Sequence, residues 1–204
     1  MKSIRICARF CLFCTLFVLP MLLASCSSQE NGKKAFTKTL FSDYIADAEF
    51  LFECDGASVA GTARITRDDN IRIDITAPDP YAGISVETDA SEQSSIISIS
   101  YSGIKADISK TMLDKINLAL TLFSDTAAAA AEKTPASDFV RCEEVYTVEG
   151  LGETDAYRVE FTLGDTQYIY VYDSITGTPL DLCAKNSGSV VEVKMKKFKA
   201  AEQA

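Results

Sequence analysis

Residues 47–76 read DAEFLFECDGASVAGTARITRDDNIRIDIT, and three strands joined by two tight turns are visible in them. Ala48, Phe50, Phe52 and Cys54 fall on one face, with Asp47, Glu49 and Glu53 among their alternates. Asp55-Gly56 is a hairpin signal. Val59 to Ile65 alternates again, Asp68-Asp69-Asn70 turns the chain, and Ile71, Ile73 and Ile75 alternate with Arg72, Asp74 and Thr76. A period of two, repeated across short turns, predicts an antiparallel meander with one apolar face.

The same pattern continues outward. After Pro78-Asp79-Pro80 come Ala82, Ile84 and Val86, then Ile97, Ile99 and Tyr101, then Ile104, Ala106 and Ile108. The period then becomes helical: Ser109 is an N-cap candidate and Met112, Ile116, Leu120 and Phe123 form a stripe. Ala127 to Ala131 extends that helix or links two, and Pro135 ends it. Strand spacing resumes at Val145 and Thr147, and at Tyr157, Val159 and Phe161. Gly164-Asp165 precedes Tyr168 to Tyr172, and Leu180 to Ala184 pairs with Val190 to Met195 across Asn186-Ser187-Gly188. On the N-terminal side, Phe36, Leu40, Phe41 and Tyr44 have helical spacing over 35–44. The order predicts a mainly β (α+β) domain: a single curved antiparallel sheet, or unclosed β-barrel, of about ten strands with helices packed in its mouth.

Residues 1–25 differ from this body. Met1 to Arg9 is basic, Phe10 to Leu23 is an apolar run of the kind found in secretory leaders, and it carries Pro20. It is shorter than the ~20 residues a spanning helix needs. Leu23-Ala24-Ser25-Cys26 resembles the lipobox of bacterial lipoproteins. That resemblance implies cleavage before Cys26 and transfer of a diacylglyceryl group to its thiol. Acyl chains buried at ~0.8 kcal/mol per methylene then hold the protein on the membrane. The expected organisation is a signal peptide at 1–25, a lipidated cysteine and flexible polar tether at 26–34, and one domain at 35–204. Anchorage outside the cytoplasm follows, on the outer face of the cytoplasmic membrane or on an outer membrane.

The first 25 residues contain three basic side chains, Lys2, Arg5 and Arg9. The remainder therefore carries 17 basic against 29 acidic residues, a net charge of −12. Such a body repels nucleic acid and anionic headgroups. No histidine is present, which removes the usual general base and zinc ligand. There is no glycine-rich phosphate loop, and Asp68, Asp69 and Asp74 lack calcium-loop spacing. Carboxylate pairs such as Glu143-Glu144 or Glu49 with Glu53 fit no recognisable catalytic pattern. The expectation is a protein without enzymatic activity, cofactor or metal. Cys54, Cys142 and Cys183 remain in the body. They allow at most one intramolecular disulfide whose pairing is open, or else serve as small buried hydrophobes.

The strand-helix-strand order resembles the bacterial lipoprotein-localisation (LolA/LolB) superfamily across roughly 47–199, and is more similar to its membrane-anchored receptor. Pro80-Tyr81-Ala82-Gly83 resembles the receptor's protruding loop. Ala106 to Leu120 is similar to the segment entering the helical plug, and Asp181 to Phe198 to the closing hairpin. The resemblance implies that Tyr81 stands at an acyl-inserting loop and that the half-barrel encloses acyl chains of a lipid or lipoprotein. The cavity wall would be Phe50, Phe52, Ile73, Ile84, Val86, Ile97, Ile99, Tyr157, Val159 and Phe161, with Met112, Ile116 and Leu120 as the helical lid. Alternation alone fits a fully packed core equally well. A second reading has the same fold bind an envelope protein through its open edge or through Tyr168, Tyr170 and Tyr172.

Overall fold

A computed structural model describes residues 29–54, 57–77, 81–91, 96–101, 110–148 and 152–200. Residues 29–40 form helix α1. The strands β1 (Tyr44–Cys54), β2 (Ala57–Arg67), β3 (Asn70–Ala77), β4 (Ile84–Asp89) and β5 (Ile96–Tyr101) follow. Next come α2 (Lys110–Thr121), α3 (Asp125–Lys133), a 3-10 turn at Ala136–Asp138, and β6 (Val140–Arg141). The remaining strands are β7 (Tyr146–Val148), β8 (Gly152–Thr154), β9 (Ala156–Leu163), β10 (Thr166–Asp173), β11 (Pro179–Lys185) and β12 (Val190–Ala200). Ten of these strands make one sheet in the order β5-β4-β3-β2-β1-β12-β11-β10-β9-β6, while β7 and β8 pair separately. Every pairing is antiparallel. The edges β5 and β6 are not bonded to each other, so the barrel is unclosed.

The sheet curls because its ladders slip. Register shifts occur at Asp47/Ala48, Thr62/Ala63, Glu87/Thr88 and Val171/Tyr172, and each bulge bends its strand and adds twist. The alternation read from residues 47–76 lands as expected, with Phe50, Phe52, Ile65, Ile71 and Ile73 buried on the concave side. The first and last strands pair at the centre, where Phe50 faces Val193. Helices α2 and α3 bridge the two arms and fill the trough with Ile116, Leu120, Phe123, Ala127 and Ala131. The Ser124 side chain accepts from Ala127 N at 3.2 Å, and Asp125 and Lys133 complement the dipole of α3.

Three sequence expectations change. The described part of the predicted tether, residues 29–34, is helical, and Gln29 Nε2 already donates to the Phe139 carbonyl at 3.3 Å. Tyr44 opens β1 rather than closing the helix, and Phe41 is exposed. Tyr168, Tyr170 and Tyr172 face inward and are buried. Tyr170 Oη donates to the Leu122 carbonyl at 2.8 Å, satisfying an orphan acceptor beyond the end of α2, and Tyr168 Oη lies 3.1 Å from Thr121 Oγ1. Polar tips on an apolar face anchor the helix here. The protein-binding face drawn on these tyrosines is therefore core.

Outside the described residues lie the leader, Cys26, the Asp55-Gly56 turn, Pro80, the segment 102–109 with its N-cap candidate, and Ile104, Ala106 and Ile108. The side chains of Cys54, Ile97, Ile99 and Met112 also lie outside them, although their backbones belong to β1, β5 and α2. Cys142 and Cys183 are both free thiols.

Candidate functional site: the apolar mouth of the half-barrel

The two poles of the trough are built differently. At one pole α1 crosses the sheet, stacking Phe36 on Tyr172 at 4.2 Å between centroids. Arg67, buried at the end of β2, holds that pole together. Its Nε donates to the Phe123 carbonyl at 3.1 Å, its Nη1 to the Ser42 carbonyl at 2.8 Å, and its Nη2 to Asp125 Oδ1. Asp125 N in turn donates to the Ala90 carbonyl at 2.8 Å. Tyr44 sits in the same shell, and burial pushes its phenol well above the ordinary range, opposed by the nearby Arg67 charge. This pole is closed.

At the other pole β2 extends to Ala57, and among the described residues its pairing with β3 begins at Thr62↔Ala77. Phe50 and Phe52 stack there at 5.6 Å between centroids and pack under α2. Beneath them is a small apolar cavity of about 20 Å³, walled by Phe50, Phe52, Ala63, Ile73, Ile75, Tyr81, Ile116 and Ala119. It has room for about one water and lacks the polar partners a water needs. Gly61, Thr62, Ala77 and Phe50 also border a second, open groove of about 470 Å³ that reaches Glu49, Leu51, Glu192 and Lys194 on the convex side. That groove is within the size range of small-molecule pockets, whereas the inner cavity is far below it.

The placement of the expected wall residues is mixed. Phe50, Phe52, Ile73, Tyr81 and Ile116 line the inner cavity. Ile84, Val86 and Leu120 are fully packed core away from it, and Val159 likewise. Tyr157 and Phe161 stack on Tyr172 and Tyr168 in the opposite arm, at 6.0 and 5.2 Å. The packed core thus accounts for most of the trough. Tyr81 does not protrude: it is partly buried against the core, in a tight turn closed by Ile84 N to the Tyr81 carbonyl at 3.1 Å. Gly83, at φ +90°, takes the third position of that turn, where glycine is needed. Sequence reasoning missed Gly61, Ala63, Ala77 and Ala119, whose small side chains create the void. The available signal was a glycine inside a strand pattern, which marks a bulge or a close approach.

On the convex face, the β7–β8 flap covers a minor core in which Cys142 and Tyr146 pack on Ala156, Val171 and Leu180. Nearby, burial pushes the Asp181 carboxyl up to about 6, with Lys194 opposing and Glu192 adding to the rise. Burial likewise pushes the Cys183 thiol up to about 11, so it is a poor nucleophile.

No family model matches the chain, and no curated protein sequence matches it closely enough to count as a relative. Among solved structures, it is similar to a LolA superfamily protein from Nitrosomonas europaea at 9% identity and a TM-score of 0.38, covering 86% of this chain and 94% of that one. It is similar to a DUF1329 family protein from Desulfovibrio piger at 9% identity and a TM-score of 0.38, covering 86% and 94%. It is also similar to the MucA/MucB complex of Pseudomonas aeruginosa at 15% identity and a TM-score of 0.41, covering 87% of this chain but 58% of that one.

Proposed function

We propose that the protein is a membrane-anchored, extracytoplasmic lipoprotein that binds a hydrophobic chain at the mouth of its half-barrel, without catalysing a reaction. The observation that carries this reading is the shared wall of Gly61 and Ala77 between the apolar cavity under α2 and the open groove outside. An alkyl chain needs apolar contact along its length and few directional partners, which is what Phe50, Phe52, Ile73 and Ile116 offer. The inner cavity as it stands is too small for such a chain. Binding therefore requires a wall residue to move, and Tyr81, a large side chain half-buried in a short turn, is the one that would swing aside. Anchorage rests on the basic leader, the apolar run and the Leu23-Ala24-Ser25-Cys26 stretch.

The test is uptake of a fluorescent fatty acid by the purified protein. Saturable binding that is lost in Phe52→Asn and in Gly61→Leu, with the fold of each variant retained, supports the reading. Absence of binding, together with no lipid in the mass spectrum of membrane-extracted protein, overturns it.

A further inference from the structure

An acidic body tied to a bilayer has to present some face to it, and the α1 pole offers lysines beside exposed apolar side chains. The exposed stripe of α1 is Asn31, Lys34 and Lys38, continued by Phe41 just past the end of the helix, at helical spacing and without a carboxylate. Its inner stripe, Phe36, Thr37 and Leu40, is buried. Glu30, the one acidic residue of the helix, pairs with Lys34 at 3.6 Å.

Two exposed apolar side chains stand beside this helix. Ile175, 82% exposed, tips the β10–β11 turn, which is bound to α1 by Thr39 Oγ1 donating to the Thr176 carbonyl at 3.1 Å. The contact is close: a Cβ on Gly177, at φ +72°, would overlap the Ala35 carbonyl and the Phe36 nitrogen. Val140, 60% exposed, follows Phe139, whose carbonyl receives Gln29 and whose ring lies 5.9 Å below Lys33 Nζ. The two are linked through Asp155, which accepts from Arg141 Nη2 at 2.7 Å and from Ser174 N at 2.9 Å. Lysines flanked by apolar tips suit a bilayer surface with anionic headgroups. Among the described residues no helix is long and apolar enough to cross a membrane.

We propose that the α1 pole lies on the membrane and that the apolar mouth points away from it. The proposal rests on the reading of Cys26 as lipidated. Two residues, Ser27 and Ser28, separate Cys26 from Gln29, a reach of about 11 Å over three Cα steps at full extension. Phe52 lies eight residues along β1 from Tyr44, roughly 26 Å from the α1 pole at strand rise. A tether that short keeps α1 against the headgroups and holds the mouth out in the aqueous compartment.

The chain contains no tryptophan, so single indoles report position directly. Full-length protein processed in cells, extracted and reconstituted into phosphatidylcholine/phosphatidylglycerol vesicles with brominated acyl chains, is compared as I175W and S187W; Ser187 is exposed in the β11–β12 turn at the other pole. The expected result is a blue shift and loss of emission for I175W, neither for S187W, and weaker quenching of I175W when K34E and K38E are added. Quenching of S187W, or silence of both indoles with a diacylated Cys26 in the mass spectrum, overturns the proposed orientation alone. An unmodified Cys26 with no vesicle association overturns the anchorage reading, and this proposal with it.

Discussion

The closed pole and the mouth use the same sheet and the same helix, yet one is held by directional bonds and the other by loosely filled apolar contact. At the closed pole a single guanidinium spends three donors on groups from the α1–β1 junction, the α2–α3 turn and the start of α3. At the mouth, small residues at 61, 63, 77 and 119 leave space between Phe50, Phe52 and Tyr81. Directional bonds are thus concentrated where the chain is proposed to be tethered, and unfilled space where it is proposed to bind.

The largest expected effect breaks the closed pole. Arg67→Ala strips buried partners from the Phe123 and Ser42 carbonyls and is expected to cost about 3 kcal/mol, read as a lowered urea midpoint. Gly177→Ala adds a methyl where the α1 backbone already sits and forces a positive φ on alanine. A loss of about 2 kcal/mol is expected, with α1 released to limited proteolysis. The same substitution at both poles sharpens the comparison: Phe123→Leu is expected to cost about 2 kcal/mol, but Phe52→Leu only about 1, because the space beside Phe52 lets its neighbours close in. Equal losses would mean that the mouth is as tightly packed as the pole.

The smallest effect is on pH dependence. Asp181 has its folded pKa raised to about 6, above the ordinary carboxylate value, so the unfolded chain releases its proton first. Stability from this site is therefore full at low pH and declines as pH rises between about 4 and 6. Asp181→Asn should flatten that decline in thermal melts taken across the window, leaving the two poles unchanged.

Much of this architecture was legible because alternation and tight turns leave few topologies for residues 47–76 and their continuations. The aromatic run Tyr168 to Tyr172 was placed in the right strand, but its buried face was open, since tyrosine suits both a sheet surface and a core whose helix offers acceptors. The helix start was misplaced because Gln29, Asn31 and Gly32 carry little apolar pattern. Their helicity comes with tertiary contacts, among them Gln29 to Phe139 and Gly32 beside Tyr157 and Tyr172. The site was half legible: bulky wall residues announce themselves, whereas a void is made by small ones, and Gly61, Ala63, Ala77 and Ala119 have no periodicity that distinguishes void from packing.

Binding at the mouth turns on whether Tyr81 yields to an alkyl chain. A Tyr81→Trp variant places the chain's single indole at the mouth, where a spin-labelled fatty acid added without vesicles can report contact. Saturable quenching at one fatty acid per protein, abolished by Gly61→Leu, is the expected result; an indole that stays unquenched at saturating fatty acid would contradict chain binding at the mouth.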